Sequence, residues 1–353
     1  MTLELLEGSA AMAEAAIAAG CRFFAGYPMS PFTGLLEQMS QRLPKAGGVC
    51  LNAESEIEGV NMTLGAAAAG ARAATGSCGQ GIALMQEAIA EAALNETPFV
   101  VFNLARNQQD YFQATRGGGW GDYRTITLAP KDIPEAVEHT QLLFHLADKH
   151  CAPVVLYGDP LLAQTRVGVD IARQDFGALP EKDWALDGTG GGTGHSRQIW
   201  TWAMGKATDP GPGPDGHWRA IAEKFDRIGA LEQRFEESDN TGAETVVVAF
   251  GSAAKFVEHV AGELRAEGHD IGWFRPITLW PFPGDALAAA TRNARKVLVF
   301  ELNGGQMLDD VRMHAHDRRA VQFIGGVSIA ESGLSYGPLL DAPVIRQRIL
   351  GAL

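Results

Sequence analysis

The sequence predicts an α/β protein of two units, each a mostly parallel sheet flanked by helices. Short apolar strands alternate with helix-length apolar segments from residue 8 to about 165, and the alternation resumes after residue 245. Between them, residues 183–216 carry Asp-Gly-Thr-Gly-Gly-Gly-Thr-Gly-His and Asp-Pro-Gly-Pro-Gly-Pro-Asp-Gly, too much Gly and Pro to pack a core. The expected organisation is a first domain over 1–175, a linker and helix over 176–240, and a smaller domain over 241–353.

In chain order, residues 8–19 are Ala-rich with Met12 and Ile17 and read as a helix ended by Gly20. Cys21–Ala25 is a short apolar strand broken by Gly26-Tyr27-Pro28, and a helix follows from about Pro31. A strand is expected near Gly48–Asn52, helices over 57–69 and 82–94, and a buried strand at Phe99–Asn103. Over Ile133–Lys149 the apolar residues Val137, Leu142, Leu143 and Leu146 recur at helical spacing, and Pro153–Tyr157 is another strand. A polar helix is expected at about 217–237, then strands at Thr245–Phe250, Ile271–Phe274 and Lys296–Glu301, with a helix from Gly251 to Gly268.

Composition narrows the function classes. Of 353 residues, 46% are hydrophobic and 20% charged, which suits packed domains rather than a disordered chain. The net charge of −13 argues against nucleic acid or an anionic membrane as partner, because phosphate binding needs clustered Lys and Arg. Cys21, Cys50, Cys78 and Cys151 are scattered without a C-x-x-C pair, and the histidines show no paired metal spacing, so no metal or cluster is expected on this chain. With an acidic N-terminal stretch and no apolar run near 20 residues, a cytoplasmic protein is expected.

Three glycine-rich stretches invite a reading as ligand loops. Gly188–Gly194 follows no strand and lacks Gly-Lys-Ser/Thr, so it reads as linker. Gly251-Ser252-Ala253 does follow a strand and reads first as a tight turn, with an anion site as the alternative. Gly117-Gly118-Gly119-Trp120-Gly121 is a run of small residues around one aromatic, equally consistent with a binding loop and a structural one.

Four stretches carry a specific resemblance. Gly26-Tyr27-Pro28-Met29-Ser30-Pro31, Ala53-Glu54-Ser55-Glu56-Ile57, Gly81-Ile82-Ala83-Leu84-Met85-Gln86-Glu87, and Arg275–Pro283 with Glu301 and Gly305-Gln306-Met307 occur in order over some 300 residues. Together they resemble the alpha subunits of 2-oxoacid:ferredoxin oxidoreductases of the 2-oxoisovalerate/2-oxoglutarate type. The resemblance implies a pyrimidine-type thiamine-diphosphate-binding domain, a doubly wound parallel sheet, followed by a transketolase-C-like domain. It further implies that a beta subunit holds the diphosphate, Mg²⁺ and a [4Fe-4S] cluster, with gamma and ferredoxin-like subunits completing the assembly and coenzyme A as co-substrate. The sequence agrees with a half-site, since the Gly-Asp-Gly and downstream Asn of a diphosphate–magnesium site are missing.

The residue roles follow from the same resemblance. Glu56 would serve the cofactor's ring nitrogen as a proton relay, alongside Tyr27, Pro28, Gly79 and Gly81; on residue type alone it reads as a solvated acid at a helix N-terminus. Arg106, after the buried strand, would bind the 2-oxoacid carboxylate with two hydrogen bonds. Ser30 would bond a substrate oxygen or cap the following helix, two roles left open. Where Trp120 falls, the family tends to carry His in a loop one residue shorter; lining the substrate pocket with Tyr111 and Phe112, Trp120 would favour a branched or aryl side chain. The rival expectations are a non-oxidative decarboxylase or transketolase-like subunit, and a scaffold that has lost its site.

Overall fold

A computed structural model of the chain describes residues 3–186, 213–327 and 340–353, so most of the Gly/Pro-rich run lies outside the described residues. The elements run β1 (Glu4–Glu7), α1 (Gly8–Ala18), β2 (Phe23–Gly26), α2 (Thr33–Arg42), β3 (Val49–Asn52), α3 (Glu56–Ala68), β4 (Ala73–Ser77), α4 (Gln80–Leu94) and β5 (Val100–Leu104). Next come α5 (Tyr111–Thr115), β6 (Ile126–Leu128), α6 (Ile133–His150), β7 (Val154–Gly158), α7 (Pro160–Gln164), β8 (Arg166–Val169) and α8 (Gly213–Leu231). The rest comprises β9 (Phe235–Glu237), β10 (Thr245–Val248), α9 (Gly251–Ala266), β11 (Ile271–Pro276), β12 (Thr278–Trp280), α10 (Gly284–Ala290), β13 (Lys296–Val299), α11 (Met307–His314), β14 (Val321–Phe323) and α12 (Ala342–Ala352).

The α/β architecture with parallel-rich sheets is as the sequence predicts. The larger sheet has the order β12-β6-β7-β5-β4-β2-β3, and its strands pair in parallel except for β12 on β6. Alternate side chains divide it into two cores. Val100, Phe102, Leu104, Val154 and Leu156 pack under α1, α2 and α6. Phe99, Val101, Ala105, Val155 and Tyr157 face the other way, toward α3, α4 and the second unit. The smaller sheet, β14-β13-β10-β11-β9, is parallel apart from its edge strand β9.

Two elements cross the expected boundaries. Residues 235–237, read from sequence as the end of a helix, form β9 of the smaller sheet, while 278–280 leave the second unit to add β12 to the larger one. Trp280 on that strand meets Phe225 of α8 edge-on, with ring centroids 5.9 Å apart. Nearby, Arg275 is only 1% exposed and binds both oxygens of Glu135 at 2.7 and 2.8 Å, with Glu236 also at 2.8 Å. A buried guanidinium needs this many carboxylate contacts to offset its lost hydration. The two units are therefore joined by a strand and by a buried ion cluster.

Candidate active site

Parallel sheets place ligands beyond the carboxyl ends of their strands, where successive crossovers diverge to opposite sides. Here β2 pairs with both β3 and β4, so the chain passes from β2 outward to β3 and then back across to β4. The loops leaving β2, β3, β4 and β5 carry Tyr27–Ser30, Ala53–Glu56, Cys78–Gly81 and Arg106 respectively. The three sequence motifs of the first domain, and Arg106, thus meet at one crevice.

Glu56 opens α3, one residue after Ser55, whose hydroxyl caps the helix by accepting from the Glu58 amide. Its side chain is 4% exposed, and Oε1 accepts a hydrogen bond from Ser77 Oγ at 3.0 Å. Gly81 lies flush against this pair: a methyl group there would sit 2.8 Å from Glu56 Cδ and closer still to Oε1 and to Ser77 Oγ. Gly79, the residue before α4, has φ +52°, a conformation open to glycine, and its amide donates to Asp110 Oδ2 at 2.7 Å. Burial pushes the Asp110 carboxyl pKa up, opposed by the Gly79 amide and by Arg106.

Arg106 is exposed and held at the crevice mouth. Its Nη1 donates to Gln80 Oε1 at 2.9 Å, Nε to the Ser30 carbonyl at 3.3 Å and Nη2 to Met29 Sδ at 3.1 Å. Cys78, buried, donates to the same Ser30 carbonyl, and burial lifts its thiol to about 11, against thiolate chemistry. Ser30 does not cap α2, whose cap position is Phe32. Tyr27 and Pro28 of the same loop are exposed, and so are Leu51 of β3, Ile57 of α3 and Leu84 of α4.

Trp120 is not brought to this group. Its Nε1 donates to Glu91 Oε1 at 3.0 Å and its ring meets Trp218 edge-on at 6.1 Å. Glu91 lies about 16 Å further along α4 than Gln80, at 1.5 Å per residue. Tyr111 is fully buried with its hydroxyl on Asp310 at 2.6 Å, so this pair cannot form a stacking wall around Arg106. Gly118 and Gly119 lie so close to α4 that a side chain at 119 would stand 2.5 Å from Ala90 Cβ and one at 118 would stand 3.0 Å from Gln86 Cγ, which accounts for the glycines without a ligand; both amides donate to Tyr123 Oη.

Sequence reasoning missed Ser77, Gln80 and Asp110, and also the clamp on the Arg106 segment. Gln108 donates to the Phe250 carbonyl and accepts from Leu302 N, both at 2.9 Å, while Asn303 and Gln306 of the second unit bond the backbone of 108, 109 and 112. Glu301, fully buried, accepts from the Met307 and Leu308 amides and so anchors the start of α11 behind this clamp. These links span nearly 200 residues of sequence, and no local pattern announces them.

Family models match in the same places. Residues 14–184 match the thiamine-diphosphate-binding domain of pyruvate flavodoxin/ferredoxin oxidoreductase, and 243–331 match core domain II of pyruvate:ferredoxin oxidoreductase. Subunit VorB of the ketoisovalerate oxidoreductase of Methanothermobacter thermautotrophicus is 33% identical, aligned over 92% of this chain and 94% of the relative. This chain belongs to the 2-oxoacid:ferredoxin oxidoreductase family. Within it, 2-oxoglutarate synthase subunit KorA of Methanocaldococcus jannaschii is 34% identical over 88% of this chain and 91% of its own length. The 2-oxoglutarate:ferredoxin oxidoreductase of Magnetococcus marinus, solved with 2-oxoglutarate, coenzyme A and succinyl-CoA, superposes with a TM-score of 0.82 at 26% identity. That match covers 98% of this oxidoreductase subunit but 65% of the Magnetococcus chain. A split-gene transketolase, 11% identical with a TM-score of 0.57, shares the fold. Among the described residues no helix is long and apolar enough to cross a membrane.

Proposed function

We propose that this subunit grips the aminopyrimidine end of thiamine diphosphate and binds the substrate carboxylate in the oxidative decarboxylation of a branched-chain 2-oxoacid to its acyl-CoA and CO2. The observation that carries this is the buried Glu56 carboxyl with one oxygen held by Ser77 at a crevice whose mouth holds Arg106. The residues suit the cofactor: a carboxyl for the ring nitrogen, Gly81 without a side chain so that this carboxyl seats against α4, and an exposed rim at Tyr27 and Pro28.

When bound, thiamine diphosphate supplies the nucleophilic carbon and the electron sink for decarboxylation. Glu56 holds and exchanges a proton at the pyrimidine ring nitrogen through Oε2, since Ser77 occupies Oε1. Arg106 keeps two N–H groups for substrate: of its five donors three are engaged, which leaves one on each terminal nitrogen, the pair suited to a carboxylate. The Ser30 hydroxyl takes the substrate's 2-oxo oxygen. Met29 beside the guanidinium offers an apolar, adaptable surface to a branched side chain, and a relative of similar identity is named for ketoisovalerate.

The rest of the site is assigned to a second chain. The beta subunit would bring the diphosphate, Mg²⁺ and an iron–sulfur cluster, and gamma and ferredoxin-like subunits would carry electrons onward. Ile57, next to Glu56 on α3, and Leu84, one turn on from Gly81 on α4, are 49% and 51% exposed and supply apolar surface such a partner would cover. In the assembled complex, Glu56→Gln should lower turnover by at least 100-fold while the subunits still co-purify; retained turnover would sink the site assignment. Preference for 2-oxoglutarate over 2-oxoisovalerate in substrate competition would overturn the substrate class alone.

A further inference from the structure

Behind the crevice the sheet buries a row of polar side chains. Ser77 of β4 is in register with Asn103 of β5, and Asn103 with Tyr157 of β7, so the three point to one face on strands about 4.8 Å apart. The two ends of the row are satisfied. Ser77 Oγ donates to Glu56, and Tyr157 Oη accepts from the Asp110 amide at 3.2 Å. The middle is not: Asn103 is 0% exposed, yet neither its Nδ2 nor its Oδ1 has a hydrogen-bond partner.

An amide buried with two donors and an acceptor unmet costs several kcal/mol, and native proteins meet such groups with internal water. Asn103 faces Asp110 within the range at which its amide pulls that carboxyl's pKa down by hydrogen bonding, while the strict geometry of a direct bond is not met. A polar pair whose direct geometry is poor is the arrangement that a bridging water completes. We propose that Asn103 anchors an ordered-water site which joins the Glu56 side of the row, through Ser77, to Asp110. Asn103 is then a positioning residue: its water lets a proton pass between the carboxyls of Glu56 and Asp110, both buried behind the crevice. The proton-passing role rests on the relay assigned to Glu56; the water site itself does not.

Two measurements test it on the full chain or the assembled complex. A crystal structure at high resolution should show water density within hydrogen-bond distance of Asn103 Nδ2 or Oδ1. Replacing Asn103 by leucine, of nearly the same shape, should lower the melting temperature by about 2–4 °C because a bound water loses its anchor. If the amide is simply orphaned, the same change removes a penalty and raises the melting temperature. In the complex Asn103→Leu should cut kcat about tenfold at unchanged substrate KM and enlarge the solvent deuterium effect, and Asn103→Ser, which leaves room for water, should restore most of it. Water density with a lowered melting temperature supports the site even if Glu56→Gln shows that Glu56 is no relay. Absent density or a raised melting temperature overturns it.

Discussion

Replacing Gly81 by alanine tests the packing on which the crevice depends. On helix propensity alone the change is favourable, by about 1 kcal/mol in a helix interior. The structure reverses the sign, because the new methyl would stand 2.8 Å from Glu56 Cδ and nearer to Oε1 and Ser77 Oγ. Carbon–oxygen contact needs roughly 3.4 Å, so the carboxyl must retreat by about 1 Å, and the Ser77 hydrogen bond breaks. Overpacking costs about 1–3 kcal/mol and the lost bond to a carboxylate about 1.5–3, so after the propensity gain a net destabilisation of about 1.5–5 kcal/mol is expected. A misplacement of that size in a reacting group also lowers turnover by roughly 100-fold. The assay is urea denaturation of the chain with turnover of the reconstituted complex. Gly262→Ala in α9, where nothing lies within 4 Å, is the control and should gain stability without touching turnover. If Gly81→Ala gains stability like its control, or keeps full turnover, the close approach of α4 to Glu56 is wrong.

Arg275→Met should cost about 3–5 kcal/mol, since it leaves Glu135 and Glu236 short of their buried cation; chemical denaturation monitored at the second unit's tryptophans reads it. His139 is buried with Nδ1 unpartnered, and burial holds its pKa down at about 4, with Arg275 and Arg234 acting the same way against Glu135 and Asp132. A depressed histidine is charged in the unfolded chain before it is charged in the native one. Stability is therefore full above pH 6.5 and falls by about 3 kcal/mol toward pH 4. His139→Leu should flatten that part of the stability–pH curve, and an unchanged slope would reassign it to the carboxylates.

Much of this could be read from the sequence, for definable reasons. The helix over Ile133–His150 is delimited as expected because Asp132 caps it and apolar spacing fixes its face. The strand β4 went unread because Ala-Ala-Thr-Gly-Ser has little β-propensity; it is a strand because its neighbours β2 and β5 bury it on both sides. The positions of Glu56 after β3 and Arg106 after β5 could be read, the first from the motif around it and the second from the apolar strand before it. Trp120 misled because a glycine-framed aromatic signals a close approach without saying to what, and here the target is α4 and Trp218. Partners joined only by folding, such as Gln108 with Asn303, leave no trace in local spacing.

The strand formed by residues 278–280 has a consequence for how the gene can be cut. A fragment ending near residue 240 would keep every loop of the crevice, yet leave β6 as a raw edge able to recruit foreign strands. Such a fragment is expected to self-associate, whereas the intact chain seals that border with its own later residues. Splitting this polypeptide into two genes at the linker would thus demand that the first piece find the second before it could stay in solution.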